Sequence, residues 1–339
     1  MKIKIVIWLG ITLLSLFSAV LFQSINVFDF SITKLTIPPG SSARSVQAIL
    51  EEHEILPPRS SFLMLVRLFR LQDRLRAGDY NFSPSDSLLK IILKLTQGKT
   101  LPPKQLRVTF PEGTSIYKMG LSLKDAGFSN WAEFQALVNE GITGGLRSNH
   151  WKIFKYVPSE SLEGYLFPDT YQFYADASVE AVAEIMLKRF EAVVIPFWEG
   201  SKQDTKLNLH EILTLASIIE KEARVPSERE IIASVFYNRL KIGMPLAADP
   251  TIKYALERPT KKVFVDQLSV KSPYNTYKRR GLPPGPICNP GLDSIKAAVY
   301  PAKTDYLFFV AKPDGSHTFS KTWQEHQVAR GKVLLNNPR

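Results

Sequence analysis

The chain contains a single cysteine, Cys288, and only five histidines in 339 residues. One cysteine excludes an intramolecular disulfide and any metal site built from several thiolates. His317 and His326 lie in one short segment without a third ligand at a suitable spacing, so a zinc site is not expected. The sequence therefore predicts neither a metal nor a cofactor.

Acidic residues are scarce relative to basic ones, since 32 Asp and Glu stand against 43 Lys and Arg, a net charge of +11. This excess favours a polyanionic partner, which could be nucleic acid, anionic lipid or a carboxylate-bearing polymer. An apolar fraction of 45% is typical of a globular protein. The length allows two domains, or one large domain with a smaller attachment.

Charge is missing altogether from residues 5 to 28, and Lys2 and Lys4 precede this stretch. It is long enough to span a bilayer. A cleaved signal peptide is the alternative, but its apolar region would be shorter and would end at a cleavage site of small residues. The sequence predicts a cytoplasmic tail over residues 1–4 and a transmembrane helix over residues 5–25. The two lysines place the remaining chain outside the cytoplasm, where nucleic acid is not an expected partner.

Two segments, residues 34–56 and 107–128, align as copies of one unit with an offset of 73. Each copy predicts a β-branched strand, a Pro-x-Gly turn and a helix opened by Ser or Thr. Residues 77–99 add a strand, a turn and a helix closed by Gly98. We therefore expect a small α+β region over residues 31–150. The unit resembles the LysM module, which binds N-acetylglucosamine polymers, and a structural spacer is the open alternative.

The apolar run LASIIEKEA ends in the triplet Glu220, Lys221 and Glu222. On a helix its apolar residues form one buried stripe, with the two glutamates on opposite shoulders and the lysine pointing away. An apolar border can raise the pKa of a carboxyl group to about 6 or above, which allows proton donation near neutral pH. Solvated charges at a helix end are the alternative, and periodicity alone does not rank the two glutamates.

A second helix is predicted over residues 226–243, opened by a capping box of Ser227 with Glu230 and closed by Gly243. It is expected to pack on the preceding helix and to face the same cleft. The loops that follow are rich in proline, tyrosine and amide residues, and their flat rings and hydrogen-bonding groups suit a sugar polymer. The candidate substrate-binding residues are Glu163, Tyr237, Asn238, Tyr274, Asn275, Thr276, Tyr277, Asn289 and Ser294.

Several motifs in a fixed order make one resemblance specific: EGYLFPDTY, LASIIEKEA, FYNRL, GMPL, DPT, YNTY, GLPPGPICNPG and DGSHTFSKTWQEH. The chain resembles the endolytic murein transglycosylase, or YceG-like, family continuously from about residue 160 to residue 330. The resemblance implies a larger α+β catalytic domain over residues 151–339. It also implies cleavage, without water, of the β-1,4 bond between N-acetylmuramic acid and N-acetylglucosamine in nascent peptidoglycan, which leaves a 1,6-anhydromuramyl end.

The resemblance also implies roles for individual residues. Glu220 matches the catalytic glutamate of the family, which acts as an acid and then as a base, and Glu222 becomes its structural neighbour. The family is anchored in the cell inner membrane, with its catalytic domain in the periplasm, and is expected to work beside penicillin-binding peptidoglycan synthases.

Three other functions are weighed against this one. The protein could bind glycan strands without cleaving them, or it could be a muramidase that hydrolyses the same bond with Glu163 or Glu222 as a second carboxylate. Related proteins have also been labelled as pyridoxal-phosphate lyases. The sequence contains no Gly-rich loop of the kind that holds a phosphate, so the lyase is not favoured.

Overall fold

The computed structural model describes residues 31–100, 104–141, 155–157, 161–201, 205–256 and 263–335, together with seven single positions before residue 31. The predicted transmembrane helix over residues 5–25 therefore lies outside the described residues at most of its positions. Within the part of the chain that is described, no helix has the length and apolarity needed to cross a membrane. The chain divides into two compact units, Met1–Lys104 and Gln105–Arg339.

The first unit combines one antiparallel strand pair with three helices. Its strands are β1 (Thr33–Ile37) and β2 (Gly78–Phe82), and its helices are α1 (Ala43–Glu52), α2 (Phe62–Leu68) and α3 (Leu88–Gln97). The Ser42 and Ser87 side chains cap α1 and α3, and Gly98 ends α3 in the left-handed conformation at φ 64°. Buried apolar side chains from both strands and all three helices form one core. The strands and helices predicted here are confirmed.

The second unit contains two further strand pairs and eight helices among its described residues. Its strands are β3 (Gln105–Thr109), β4 (Thr170–Tyr174), β5 (Phe308–Ala311) and β6 (His317–Ser320), with β3 paired to β4 and β5 to β6 in antiparallel fashion. Its helices are α4 (Ile116–Asp125), α5 (Trp131–Glu140), α6 (Val179–Ser201), α7 (Leu209–Glu222), α8 (Arg229–Lys241), α9 (Asp249–Ala255), α10 (Leu292–Val299) and α11 (Trp323–Leu335). The predicted α+β class is confirmed.

The two copies of the strand-turn-helix unit fall in different compact units. The first copy consists of β1 and α1, and the second of β3 and α4. Strand β3 pairs with β4, which lies in the second unit. The Thr109 and Thr170 hydroxyl groups are hydrogen-bonded at 2.8 Å across this pair. This ladder explains why the second copy belongs to the second unit. The domain boundary near residue 150 stays a prediction.

Both copies leave their helix through a residue with positive φ. Glu54 has φ 55° in the first copy, and Gly127 has φ 88° at the matching place in the second. A side chain in this left-handed region costs about 1 kcal/mol relative to glycine. Glu54 and Gly127 differ in residue type, but the backbone has a positive φ at both positions.

Helix α7 is the central element of the second unit. It begins with a capping box in which Asn208 Oδ1 accepts from Glu211 N at 3.0 Å and Glu211 Oε2 accepts from Asn208 N at 2.8 Å. All its residues from Ile212 to Ile219 are buried, and it packs against α8, α9 and α10. The predicted apolar stripe is confirmed, but burial extends around the whole helix. Only its first and last turns reach the surface.

The predicted capping box at the start of α8 is wrong. Residues 226–228 form a 3₁₀ turn, α8 begins at Arg229, and no side chain caps it. Ser227 therefore lies inside the turn and not at the N-cap position, where its hydroxyl could reach the backbone three residues later. The turn still brings α8 back onto α7, as the sequence predicts.

Candidate active site

Glu220 lies in the last turn of α7 with its carboxylate at the N-terminus of α10. Glu220 and Glu222 are half-buried and Lys221 is exposed, as the helical projection predicts. Glu220 Oε2 accepts hydrogen bonds from Gly291 N at 3.1 Å and from Ser294 Oγ at 2.7 Å. Negative charge is favoured at a helix N-terminus because the first backbone N–H groups point toward it. The two hydrogen bonds therefore fix the orientation of the Glu220 carboxyl group.

The second oxygen of Glu220 has a different environment. Among the described residues, Oε1 accepts no protein hydrogen bond, whereas Oε2 has two donors. A general acid or base needs one oxygen that can reach a ligand and a fixed geometry for the rest of the group. The half-buried Glu220 meets both requirements.

A cleft of about 690 Å³ adjoins Glu220. Gly113 and Lys221 line it, and a Cβ placed on Gly113 would lie 3.3 Å from Glu220 Cγ. Its walls include the rings of Tyr254 and Tyr274, whose centroids are 4.9 Å apart. The volume is typical of ligand-binding sites, and aromatic faces fit the apolar faces of pyranose rings.

Glu163 lies at the base of this cleft and is only 5% exposed. Ile116 N, at the start of α4, donates to both of its carboxylate oxygens at 3.1 Å. Asn289 Nδ2 donates to Oε1 at 2.9 Å. Burial raises the pKa of Glu163 to about 8, although the Ile116 N–H and the charge of Lys221 act in the opposite direction. Burial of Glu163 therefore favours its protonated form.

Glu222 lies on the opposite shoulder of α7, in a separate charged environment. Burial raises its pKa to about 7, and the charge of Asp249 acts in the same direction. Lys253 and Arg239 lower it. These neighbours belong to α8 and α9, whereas Glu220 faces α10. The two glutamates of the triplet therefore have different neighbours as well as different directions.

Five of the nine predicted glycan contacts are buried: Glu163, Asn275, Thr276, Asn289 and Ser294. The polar groups of Asn275, Thr276 and Asn289 bind the protein itself. Asn275 Nδ2 donates to Leu268 O at 3.0 Å and Val270 O at 2.8 Å. Thr276 Oγ1 accepts from Ala248 N at 3.1 Å. Asn289 Oδ1 accepts from the backbone N–H groups of residues 164 and 166, both at 2.9 Å. These side chains hold the loops around the site in one conformation, and their contact with glycan stays a prediction.

Three further candidates lie on α8 or on the loop beside α9. Tyr237 donates to Ala298 O at 2.8 Å, and Asn238 Nδ2 donates to the carbonyl oxygens of residues 304 and 306 at 2.8 and 2.9 Å. The Tyr277 hydroxyl donates to Asp249. Of the nine candidates, Glu163 and Tyr274 line the cleft and Ser294 contacts Glu220.

The turn that covers Glu220 was not predicted from the sequence. Gly113 packs on Glu220. The Gly113 carbonyl oxygen accepts a hydrogen bond from Lys221 Nζ at 3.1 Å, so the Lys221 ammonium group binds the protein. The neighbouring Glu112 carries a carboxylate where the first copy of the repeat has Pro39. That difference between the copies is the signal that could have identified the turn as functional.

Among the residues that the structure describes, no group of three potential ligands could hold a metal ion. His317 Nδ1 instead lies 2.7 Å from Glu228 Oε2, and His317 N donates to Oε1 of the same carboxylate at 3.0 Å. This pair joins β6 to the turn that precedes α8.

Comparison with known proteins agrees with the geometry. The sequence profile of the YceG-like family matches residues 35–332. The endolytic murein transglycosylase of Bacillus subtilis strain 168 is 36% identical over 326 residues, which cover 94% of this chain and 89% of that protein. The chain belongs to the YceG-like family. The resemblance inferred from the motifs is confirmed.

Other YceG-like relatives extend the comparison. The endolytic murein transglycosylase of Streptococcus pneumoniae D39 is 28% identical over 316 residues, which cover 86% of this chain and 56% of that protein. The crystal structure of a YceG-like protein from Listeria monocytogenes superposes with a TM-score of 0.60 at 35% identity, over 88% of this chain and 99% of that one. The YceG-like fold is therefore shared over most of the chain.

Replacement of Ser294 tests how the YceG-like site orients its glutamate. Ser294→Ala removes one of the two donors to Glu220 Oε2 and leaves the Gly291 N–H. Because a hydrogen bond to a charged group contributes about 1.5–3 kcal/mol, we expect kcat/KM for glycan cleavage to fall about tenfold or more. Thermal unfolding should change little. An unchanged kcat/KM in a folded variant would show that Gly291 alone positions the carboxylate.

Proposed function

We propose that the protein is an endolytic lytic transglycosylase of peptidoglycan. The observation that carries the proposal is the half-buried Glu220, with one oxygen held by Gly291 and Ser294, beside a cleft with aromatic walls. Membership of the YceG-like family supports it, as do relatives named endolytic murein transglycosylase. The substrate is a nascent strand of alternating N-acetylglucosamine and N-acetylmuramic acid.

Glu220 acts in two steps. Its carboxyl group first donates a proton to the oxygen that links muramyl C1 to the next sugar, and the bond between C1 and that oxygen breaks. The muramyl C6 hydroxyl oxygen then bonds to C1 and gives its proton to the Glu220 carboxylate. The product carries a 1,6-anhydro ring, no water is consumed, and Glu220 recovers its original protonation state.

This reaction requires one catalytic carboxyl group, and the site supports that requirement. In a hydrolase a second carboxylate activates water or attacks C1. Both Glu163 oxygens already accept protein hydrogen bonds. Glu222 faces α8 and α9, and not Gly291 and Ser294, which bind Glu220. Neither glutamate suits the second role, so transglycosylation is favoured over a muramidase mechanism that uses Glu163 or Glu222.

The proposal includes a location and partners. Residues 5–25 form a transmembrane anchor in the cell inner membrane, with the N-terminus in the cytoplasm and both compact units in the periplasm. Support comes from the charge-free run that follows Lys2 and Lys4. An enzyme held there acts on strands as penicillin-binding synthases make them. The LysM-like region predicted over residues 31–150 would bind the same glycan or act as a spacer.

Product analysis tests the proposal. Detergent-solubilised full-length protein is incubated with purified glycan strands, and the released fragments are examined by mass spectrometry. We expect internal cleavage and fragments that end in 1,6-anhydromuramic acid. Fragments heavier by one water, with a reducing end, would indicate hydrolysis. Retention of strands without new ends would indicate a binding protein and overturn the proposed function.

A further inference from the structure

The turn formed by residues 111–114 is fixed onto the loop that precedes α10. Gly113 N donates to Asn289 O at 2.9 Å, and Asn289 N donates to Thr114 O at 3.0 Å. Lys221 Nζ adds a bond to Gly113 O at 3.1 Å. Gly113 has φ 76°, and a Cβ on it would press on Glu220 Cγ. The turn therefore forms part of the wall around the proposed catalytic glutamate.

The first copy of the repeat provides an internal comparison. Gly40 has the same φ of 76°, but a Cβ on it would meet nothing within 4 Å. Pro39 precedes it, whereas Glu112 precedes Gly113. The backbone geometry of the turn therefore requires neither the carboxylate nor the close packing. Both are specific to the copy that contacts the site.

The Glu112 carboxylate lies against the residue that anchors Glu220. A Cβ built on Gly291 would lie 2.6 Å from Glu112 Oε2 and closer still to Oε1, while Gly291 N donates to Glu220 at 3.1 Å. Two carboxyl groups thus approach one glycine, one at its Cα and one at its N–H. Burial of the Glu112 carboxylate, and then the charge of Glu220, raise the pKa of Glu112.

We propose that Glu112 is a positioning residue for the reaction, whose carboxylate, packed on Gly291, places a second negative charge beside Glu220. This inference rests on the proposed function. Like charges that share a site disfavour ionisation of both groups. The other charged groups that face Glu112 are Arg229 from α8, which lowers the pKa of Glu112, and Asp293 from α10, which raises it. Lys221, from α7, binds the adjacent Gly113 carbonyl.

The pH profile of kcat/KM tests this role in the full-length protein. Glu112→Gln removes this charge, so the alkaline limb of the kcat/KM profile should move to lower pH by about half a unit to one unit. Activity on the acidic side should be retained. Glu112→Asp keeps a negative charge and should keep the limb near its wild-type position. Glu180→Gln, an exposed glutamate of α6, is the matched control.

The outcomes separate this inference from the function on which it rests. An unmoved alkaline limb in Glu112→Gln, with or without a raised KM, would overturn the positioning role while product formation upholds the transglycosylase. A wild-type protein that releases no anhydromuropeptide would overturn the proposed function, and the inference with it.

Gly291→Ala provides an independent way to displace the Glu112 carboxylate. Gly291 has φ −73° and ψ 164°, an extended conformation that alanine adopts without strain, and the new methyl group would collide with the flexible end of Glu112. We expect an alkaline limb shifted as in Glu112→Gln, and no further shift when the two changes are combined. Additive shifts would show that Gly291→Ala acts through another route and would contradict the proposed coupling.

Discussion

Glu220→Gln is expected to reduce the release of anhydromuropeptides by roughly 10³-fold or more, because general acid–base catalysis by one group typically contributes 10²–10⁴-fold and Glu220 acts in both steps. The amide cannot donate a proton to the leaving oxygen or take one from the C6 hydroxyl. Its carbonyl oxygen can still accept from Gly291 N and Ser294 Oγ, so the protein should fold normally. Mass spectrometry of the digests measures the loss, and thermal unfolding monitors the fold.

Two further glutamate variants make the result specific. Glu180→Gln makes the same chemical change at an exposed position of α6 and should leave product formation unchanged. Glu222→Gln tests the muramidase alternative, in which Glu222 is the second carboxylate, and its product should still carry the anhydro ring. If Glu220→Gln and wild type release equal amounts of anhydromuropeptide, Glu220 is not the catalytic acid and base.

The local part of this site could be predicted from sequence. Helical periodicity placed Glu220 and Glu222 on opposite shoulders of α7 and left Lys221 exposed, and the structure confirms all three positions. Turn and cap residues likewise predicted the strand-turn-helix copies and the end of α3 at Gly98. These features depend on residues within a few positions of one another, where the periods of helices and strands are informative.

The contacts between distant segments could not be predicted in this way. Glu112 approaches Gly291, and Gly113 packs on Glu220, across more than 100 residues of sequence. The pairing of β3 with β4, which draws the second copy of the repeat into the second unit, is also long-range. Periodicity identifies which face of an element is buried but does not say which element covers it.

Amide side chains illustrate a second limit. Asn275 and Asn289 occur in loops whose composition suits carbohydrate binding, and Asn238 lies on α8, yet each donates to carbonyl oxygens of the protein. An amide has the same donors and acceptors whether it faces a sugar or a backbone. Composition therefore predicts a polar, rigid loop region, and only the structure separates groups that shape the loops from groups that line the cleft.

Glu163 gives the largest expected effect on stability. It is 5% exposed, and burial raises its pKa to about 8, well above the value near 4.5 of an unfolded chain. Between these pH values the unfolded state has released a proton that the folded state retains, so the free energy of unfolding falls as pH rises. At 1.36 kcal/mol per pKa unit, the loss is roughly 4–5 kcal/mol between pH 4.5 and pH 8.

Glu163→Gln should remove this dependence, since an amide does not ionise and its oxygen can still accept from Ile116 N and Asn289 Nδ2. The stability of the variant relative to wild type is therefore expected to increase with pH by several kcal/mol, as measured by urea unfolding at a series of pH values. Glu222 titrates over part of the same range, but it is present in both proteins and cancels in the difference. Glu163→Leu should be destabilised at every pH because it leaves the buried Ile116 N–H without an acceptor. A constant difference between Glu163→Gln and wild type across this range would mean that Glu163 is already ionised in the folded protein, held by its two donors and Lys221.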